Sequence, residues 1–395
     1  MTTHLILTIG TGTAGKHSNL VMGLRRTLRL IGPERYWLVP SASPDSVATA
    51  DLVREGIVGF QWWEDGGLPY RCVAEPDSLA DCRKAVREVI DRARVGMGRD
   101  GRVVVNPTSG TKQMSVGAAL AALDAGVGEL VFTVGERADG VVKTGTEVLE
   151  TFDASGYFAE RDRELAVSLA EAGAQAAGAR VARRHDSLSD LADTAQCVHE
   201  WERQNYGEAR RIAARSGAPG LVAVRHGLEQ LAKAAKLGAE PNPLVIADLL
   251  QTADQLHRRG EFDGALVLGC RALEMGLRCA LFGRTGLFDP YSLGRVCSLP
   301  ISEGIKERCR QNSHDGQRTI VNLNTVAKIL QELGEHLGDA FFVDGELQRL
   351  VRVRNDLMHQ IRAVSEAESQ AALQRVKNLL APLDLPPVPI RPSFT

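Results

Sequence analysis

Residues 103–123 read VVVNPTSGTKQMSVGAALAAL, and this stretch decides the fold. The β-branched run Val103-Val104-Val105 suits a strand, which Asn106-Pro107 brings to an end. A loop of small polar residues follows, Thr108-Ser109-Gly110-Thr111-Lys112, and Met114 and Ser115 lead into an alanine-rich helix. Open α/β sheets use such a strand, polar loop and helix to hold ligands beyond the carboxyl ends of their strands. Backbone N–H groups, hydroxyls and one lysine suit phosphate.

Around this unit, residues 1–158 alternate strand and helix patterns, which predicts a Rossmann-like parallel sheet covered on both faces. His4 to Ile9 is the first strand, and Arg35 to Val39 the second, ending at Pro40-Ser41-Ala42-Ser43. A third strand is expected over Ile57 to Trp62, the Val103 strand is then the fourth, and Glu129 to Val134 is the next. Between them fall helices near 18–31, 45–55 and, with a clear amphipathic pattern, 77–94. Gly140 to Phe152 fits an edge hairpin. After Tyr157 the patterns are helical at 161–182, 188–204, 206–216 and 221–237, then again at 244–259, 262–282, 324–337, 345–364 and 366–380. Gly238 to Pro243 breaks this series, and the tail from Pro382 carries five prolines and no periodicity, so it is expected to be extended or mobile. The expected fold class is therefore α/β followed by all-α.

The 395 residues suffice for two or three domains, and a net charge of −2 removes any whole-protein argument for non-specific nucleic-acid binding. Seven scattered cysteines without a CxxC pair argue against a disulfide framework or a zinc site and for a reducing compartment. No apolar run approaches the roughly 20 residues of a membrane helix, and MTTHLILTIG reads as a strand rather than a signal peptide. A cytoplasmic protein without membrane contact is expected.

Gly10 to Gly15 satisfies G-x-G-x-x-G, the dinucleotide-binding pattern. That reading wants an acid after the second strand, where this chain has Ser41 and Ser43. The same residues nearly satisfy the P-loop, but His17 stands where Ser or Thr would ligate Mg²⁺. What remains is a sheet with three polar loops at one edge: Thr11 to Thr13, Ser41 to Ser43, and Thr108 to Lys112. They suit a ligand with several phosphates and ribose hydroxyls better than hydrolysis, since no paired carboxylates or metal cluster sit nearby.

The second informative stretch is Arg354-Asn355-Asp356-Leu357-Met358-His359. At about 100° per residue, Arg354 and His359 lie about 140° apart on a helix, whereas Asn355 and His359 share a face. A site needing both would gain from two such helices meeting across a dimer axis. Metal-free RNA cleavage fits: the ribose 2′-OH attacks the adjacent phosphate, histidine moves protons, and arginine stabilises the added charge.

Together the two stretches resemble one family. Asn106 to Met114, with Gly10 to Thr13, resembles the ligand loops of the CARF domain of CRISPR-associated proteins. Arg354-Asn355 and His359 resemble the Arg-(Asn/His/Asp)-x-x-x-His element of HEPN ribonucleases, and the order of the two matches the ancillary ribonucleases of type III CRISPR systems. The resemblance implies a CARF-like sensor over 1–158, a helical connecting region over 159–240, a HEPN-like ribonuclease domain over 241–381 and a proline-rich tail over 382–395. It implies a homodimer that binds a cyclic oligoadenylate, tetra- or hexa-adenylate, across its two-fold axis, with no further cofactor and no stable complex with the CRISPR effector. The ligand would meet Gly10, Thr11, Gly12, Thr13, Ser41, Asn106, Thr108, Ser109, Gly110, Thr111, Lys112 and Met114. Binding would allosterically switch on cleavage of single-stranded RNA by Arg354, Asn355 and His359. Some relatives also cut the cyclic activator, and Asn106, Ser109 or Thr111 are the residues here placed to position its 2′-OH. The alternatives are a non-catalytic CARF sensor or adaptor, and a P-loop-like nucleotide hydrolase using Lys16.

Overall fold

In the computed structural model β1 (Thr3–Ile9) is buried along its whole length, the polar Thr3, His4 and Thr8 included, as befits a central parallel strand. The structure describes residues 2–11, 17–63, 68–98, 100–138, 141–143, 145–236, 240–313, 315–359 and 363–394, with backbone only at 17, 137–138, 141 and 355–359. The chain divides into two units, Met1–Arg161 and Asp162–Thr395.

In the first unit, α1 (His17–Ile31), β2 (Arg35–Pro40), α2 (Pro44–Arg54), α3 (Leu79–Arg94), β3 (Arg102–Asn106), α4 (Lys112–Asp124) and β4 (Glu129–Val134) follow β1. A short hairpin, β5 (Arg137–Ala138) with β6 (Val141–Val142), precedes β7 (Val148–Asp153). The sheet order is β2-β1-β3-β4-β7, with β7 alone antiparallel. Period-two alternation sorts the strand side chains between faces. Leu5, Leu7 and Ile9 pack with α1 and α2, while Ile6, Val103 and Val105 pack with α3 and α4. The sheet is thus doubly wound, as expected.

The expected third strand does not form. Gly59 turns the chain at φ +95, where an added Cβ would lie 2.6 Å from Glu34 O, so only Phe60 bridges to Tyr36. The Val103 strand is therefore third, between β1 and β4.

The boundary between the units falls within α5 (Ser155–Glu171). The predicted helix over 161–182 is two helices, because Gly173 at φ +90 separates α5 from α6 (Gln175–Ala182). The rest of the second unit comprises α7 (Ser189–Glu202), α8 (Tyr206–Arg215), α9 (Pro219–Ala234), α10 (Pro243–Arg258) and α11 (Phe262–Thr285). A two-stranded pair, β8 (Tyr291–Ser292) and β9 (Arg318–Thr319), flanks α12 (Leu293–Cys297) and α13 (Glu303–Gln311). Then come α14 (Leu323–Glu332), α15 (His336–Val343), α16 (Gly345–His359) and α17 (Glu366–Leu380). The expected helix over 324–337 is likewise divided, by Gly334 at φ +74.

Glycines seven residues apart on α11 receive leucines seven apart on α17. A Cβ on Gly269 would lie 2.8 Å from Leu373, and one on Gly276 2.3 Å from Leu380, so bare backbone there forms the holes for two leucine knobs. A capping box of Ser365 and Glu368 starts α17. Beyond it a short 3-10 turn (Ala381–Leu383) leads into a tail without regular structure, and this tail is docked: Pro389 lies on Gly227 and Pro392 on Gly220, both in α9. All seven cysteines are free thiols. Among the described residues, no helix is long and apolar enough to cross a membrane.

Candidate functional site

The order β2-β1-β3 reverses the direction of winding between β1 and β3, and that switch point is where ligands enter open α/β sheets. The loops after these two strands meet there. The Gly10 N–H donates to Ser109 Oγ at 3.1 Å, and a Cβ on Gly10 would lie 2.7 Å from the Gly110 Cα. Gly110 has φ +125, a conformation that side chains other than glycine's rarely allow. Two facing glycines are therefore what lets the two polar loops touch.

The loop after β3 is braced from behind. Asn106 is buried; its Nδ2 donates to Thr133 Oγ1 at 3.0 Å, and its Oδ1 accepts from the Thr108 N–H at 3.0 Å. Thr108 Oγ1 accepts from the Thr133 N–H at 2.8 Å, and the hydroxyls of Thr133 and Thr27 hydrogen-bond at 3.0 Å. Thr111 caps α4, its Oγ1 accepting from the Met114 N–H at 3.2 Å while donating to Pro76 O at 2.6 Å. Met114 is buried beside Gly110. Solvent meets Thr11, Gly110 and Lys112, with Thr108, Ser109 and Thr111 half-buried. Ser41 is buried after β2, its N–H donating to Ser46 Oγ at 3.0 Å, and Ser46 Oγ donates to Ile9 O at 2.6 Å. Ser46, Thr27, Thr133 and Pro76 thus set the loops without belonging to the sequence motif. Only the position of Thr133 at a strand end marked it in advance. Gly12 and Thr13, with Lys16 of the P-loop reading, lie outside the described residues.

The Arg354 element lies on α16, whose Leu347 and Leu350 are buried and whose Arg352 and Arg354 are exposed. Helical spacing turns Arg352 away from the leucines, whereas Arg354, four residues after Leu350 and seven after Leu347, lies on the leucine side of the helix and is nonetheless exposed. Cys270 of α11 is buried against this helix, its thiol 3.8 Å from Leu350 O; burial pushes its pKa up to about 12, while the charge of Arg354 pulls it down. The backbone places Asn355 and His359 one helical turn apart, and their side chains lie outside the described residues. Glu274 of α11 pairs with Arg278 one turn on, at 2.8 Å. Among the described residues, no group of three or more His, Cys, Asp or Glu side chains is placed to hold a metal ion.

Residues 234–382 match the family model described as the Csm6 HEPN domain, and this span contains Arg354 to His359. The whole chain is similar in fold to Enterococcus italicus Csm6 bound to cyclic hexa-2′-fluoro-hexa-dAMP, with TM-score 0.55 and 12% identity over 97% of this chain and 94% of that one. A sequence search of curated proteins finds no match. A doubly wound sheet with its polar loops at the switch point, followed by a helical unit that contains the matched span, is the order of parts the two motifs implied. The chain thus has the fold of Csm6, and its residues 234–382 are similar to the Csm6 HEPN domain.

Proposed function

We propose that the protein is an endoribonuclease of type III CRISPR antiviral defence, switched on by a cyclic oligoadenylate. The observation that carries this reading is the location of Arg354 to His359 inside the matched HEPN span. Two copies of α16 meeting across a homodimer axis would supply both an Arg354 and an Asn355–His359 face to one phosphate. The RNA 2′-oxygen bonds to phosphorus as its proton passes to His359, the bond to the 5′-oxygen breaks, and the departing oxygen takes up a proton in return. The products are a 2′,3′-cyclic phosphate and a 5′-hydroxyl. Because the nucleophile belongs to the substrate, no metal-bound water is needed to create it, and Arg354 carries the developing charge.

The activator binds where the Gly10 and Ser109 loops touch, with Thr11 and Lys112 offering a hydroxyl and a cation at the surface. The similar Csm6 structure holds a hexameric ring, which favours cyclic hexa-adenylate over the tetramer. Asn106 and Thr111 both donate to the protein, whereas Ser109 Oγ accepts from the Gly10 N–H and has its own proton left to donate, so Ser109 is the best-placed hydroxyl for any cleavage of the ring itself. The test is cleavage of a labelled single-stranded RNA in EDTA, with and without cyclic tetra- or hexa-adenylate. Stimulation by a ring, cyclic-phosphate product ends and loss of cleavage in His359→Ala are expected. RNA cleavage that survives His359→Ala sinks the assignment.

A further inference from the structure

The proline-rich tail is fastened by a site built for it. Arg391 is the centre: its side chain is 5% exposed and lies 3.6 Å from Asp248 of α10, which is fully buried. The guanidinium sits 5.2 Å from the ring centre of Trp201 in α7 and donates to Thr252 Oγ1 at 2.5 Å and to Gln255 Oε1. Asp248 also accepts from Trp201 Nε1 at 2.9 Å and from the Tyr206 hydroxyl at 2.8 Å. The docked tail thus supplies the cation that faces this carboxylate, and a buried charge that loses its partner is strongly unfavourable.

The contacts on either side of Arg391 are equally specific. A Cβ on Gly227 would lie 2.1 Å from Pro389, and one on Gly220 2.9 Å from Pro392, so these glycines leave notches in α9 that the prolines fill. Glycine is a poor choice in a helix interior, so the notch at Gly227 outweighs a helix-propensity loss. Phe394 then packs among Ala170 of α5, Ala179 of α6 and Ala195 of α7, three small residues that leave room for a ring. The cleft beside it, about 300 Å³, carries Glu171 and Glu202 against arginines that are mostly paired already, Arg259 with Glu202 at 2.7 Å. That balance does not favour an anionic ligand. Arg391, Pro392 and Phe394 of the docked tail form part of the cleft's wall.

One end of this strap grips α5, the helix that continues the chain from β7. The other end is α17, whose Leu373 and Leu380 lock into α11, and α11 in turn packs on α16. We infer that the tail is a coupling strap that carries a displacement of α5–α7 to the helices holding Arg354 and His359, with Arg391 as its anchor and Phe394 as its contact with α5. This rests on the proposed activation by cyclic oligoadenylate.

The test compares wild type with Phe394→Ala and Arg391→Met, each as the full chain. RNA cleavage is measured with and without saturating cyclic hexa-adenylate, alongside its binding affinity. Unchanged affinity, an unchanged basal rate and a stimulation ratio lowered by about fivefold or more are expected. Full stimulation in Phe394→Ala overturns the inference, and Phe394→Ala keeps the test valid should Arg391→Met fail to fold. If the wild type shows no stimulation, the functional reading has failed rather than the strap, and hydrogen exchange decides. Faster exchange in α16 and α17 as well as in α5 and α6 of Phe394→Ala supports the coupling, whereas a change confined to the tail, α5 and α6 overturns it.

Discussion

Gly10 and Gly110 show how one missing side chain can set a binding edge. Gly10→Ala would push a methyl to 2.7 Å from backbone, which cannot yield as a side chain can, so the two loops must part. The expected result is a loss of about 1–3 kcal/mol in thermal or urea unfolding together with weaker binding of cyclic oligoadenylate in a titration. Lys112→Ala, at an exposed position, should weaken that binding and leave the melting temperature unchanged. Thiols offer a pH test at the same scale. Burial pushes both Cys197 and Cys270 up to about 12, so at pH 8 only about one molecule in ten thousand carries the thiolate at either site. Alkylation followed by mass spectrometry should spare both in the native protein and label both in denaturant. The loop motif and the Arg354 element were legible as residues in the sequence. The partners of Asn106 and Thr111 were not, because Thr133 and Pro76 reach them only through the fold.

At the scale of elements, helix interiors were read well from periodicity, and helix ends less well. Single glycines at positive φ, Gly173 and Gly334, divided two predicted helices, and Gly59 removed a predicted strand. Each is a local choice that an apolar pattern running through the glycine conceals. Glycines of the other kind, on helix faces, are packing devices. Gly276→Ala raises intrinsic helix propensity by about 1 kcal/mol, yet its methyl would fall 2.3 Å from Leu380. Overpacking should win, with a net loss of about 1–3 kcal/mol in urea unfolding. A more stable Gly276→Ala protein would show that α17 can slide on α11.

For the whole molecule, the buried pair of Arg391 and Asp248 is the sharpest test of how the second unit is closed. Burial pushes the Asp248 carboxyl above the usual carboxylate range, with Arg391, Tyr206 and Trp201 opposing it, and burial pulls Arg391 down. Arg391→Met should cost about 3–5 kcal/mol, and adding Asp248→Asn should return part of it, because the stranded charge rather than the lost contact dominates. Without Arg391 the carboxyl rises further, so the folded state holds the proton over a window in which the unfolded chain has released it. Stability of Arg391→Met should therefore fall as pH rises through that window above the ordinary carboxylate value, and recover on acidification. Denaturant midpoints of wild type and variant between pH 4 and 8 provide the check. A constant difference at every pH would mean that Asp248 finds another partner.

The alternating sheet, the helical half and the two motifs are set by periodicity and by residue types close together along the chain, and so could be read from the sequence. Which polar groups of Asn106 to Lys112 remain available, the loss of the strand expected over Ile57 to Trp62, and the docking of the proline-rich tail were settled by tertiary contacts alone. Those outcomes depend on partners far apart in sequence: a threonine behind a loop, a glycine facing a glycine, an aspartate waiting for an arginine. Such pairs leave no periodic trace, since each is specified by steric fit and charge compensation that exist only once the helices and strands have met.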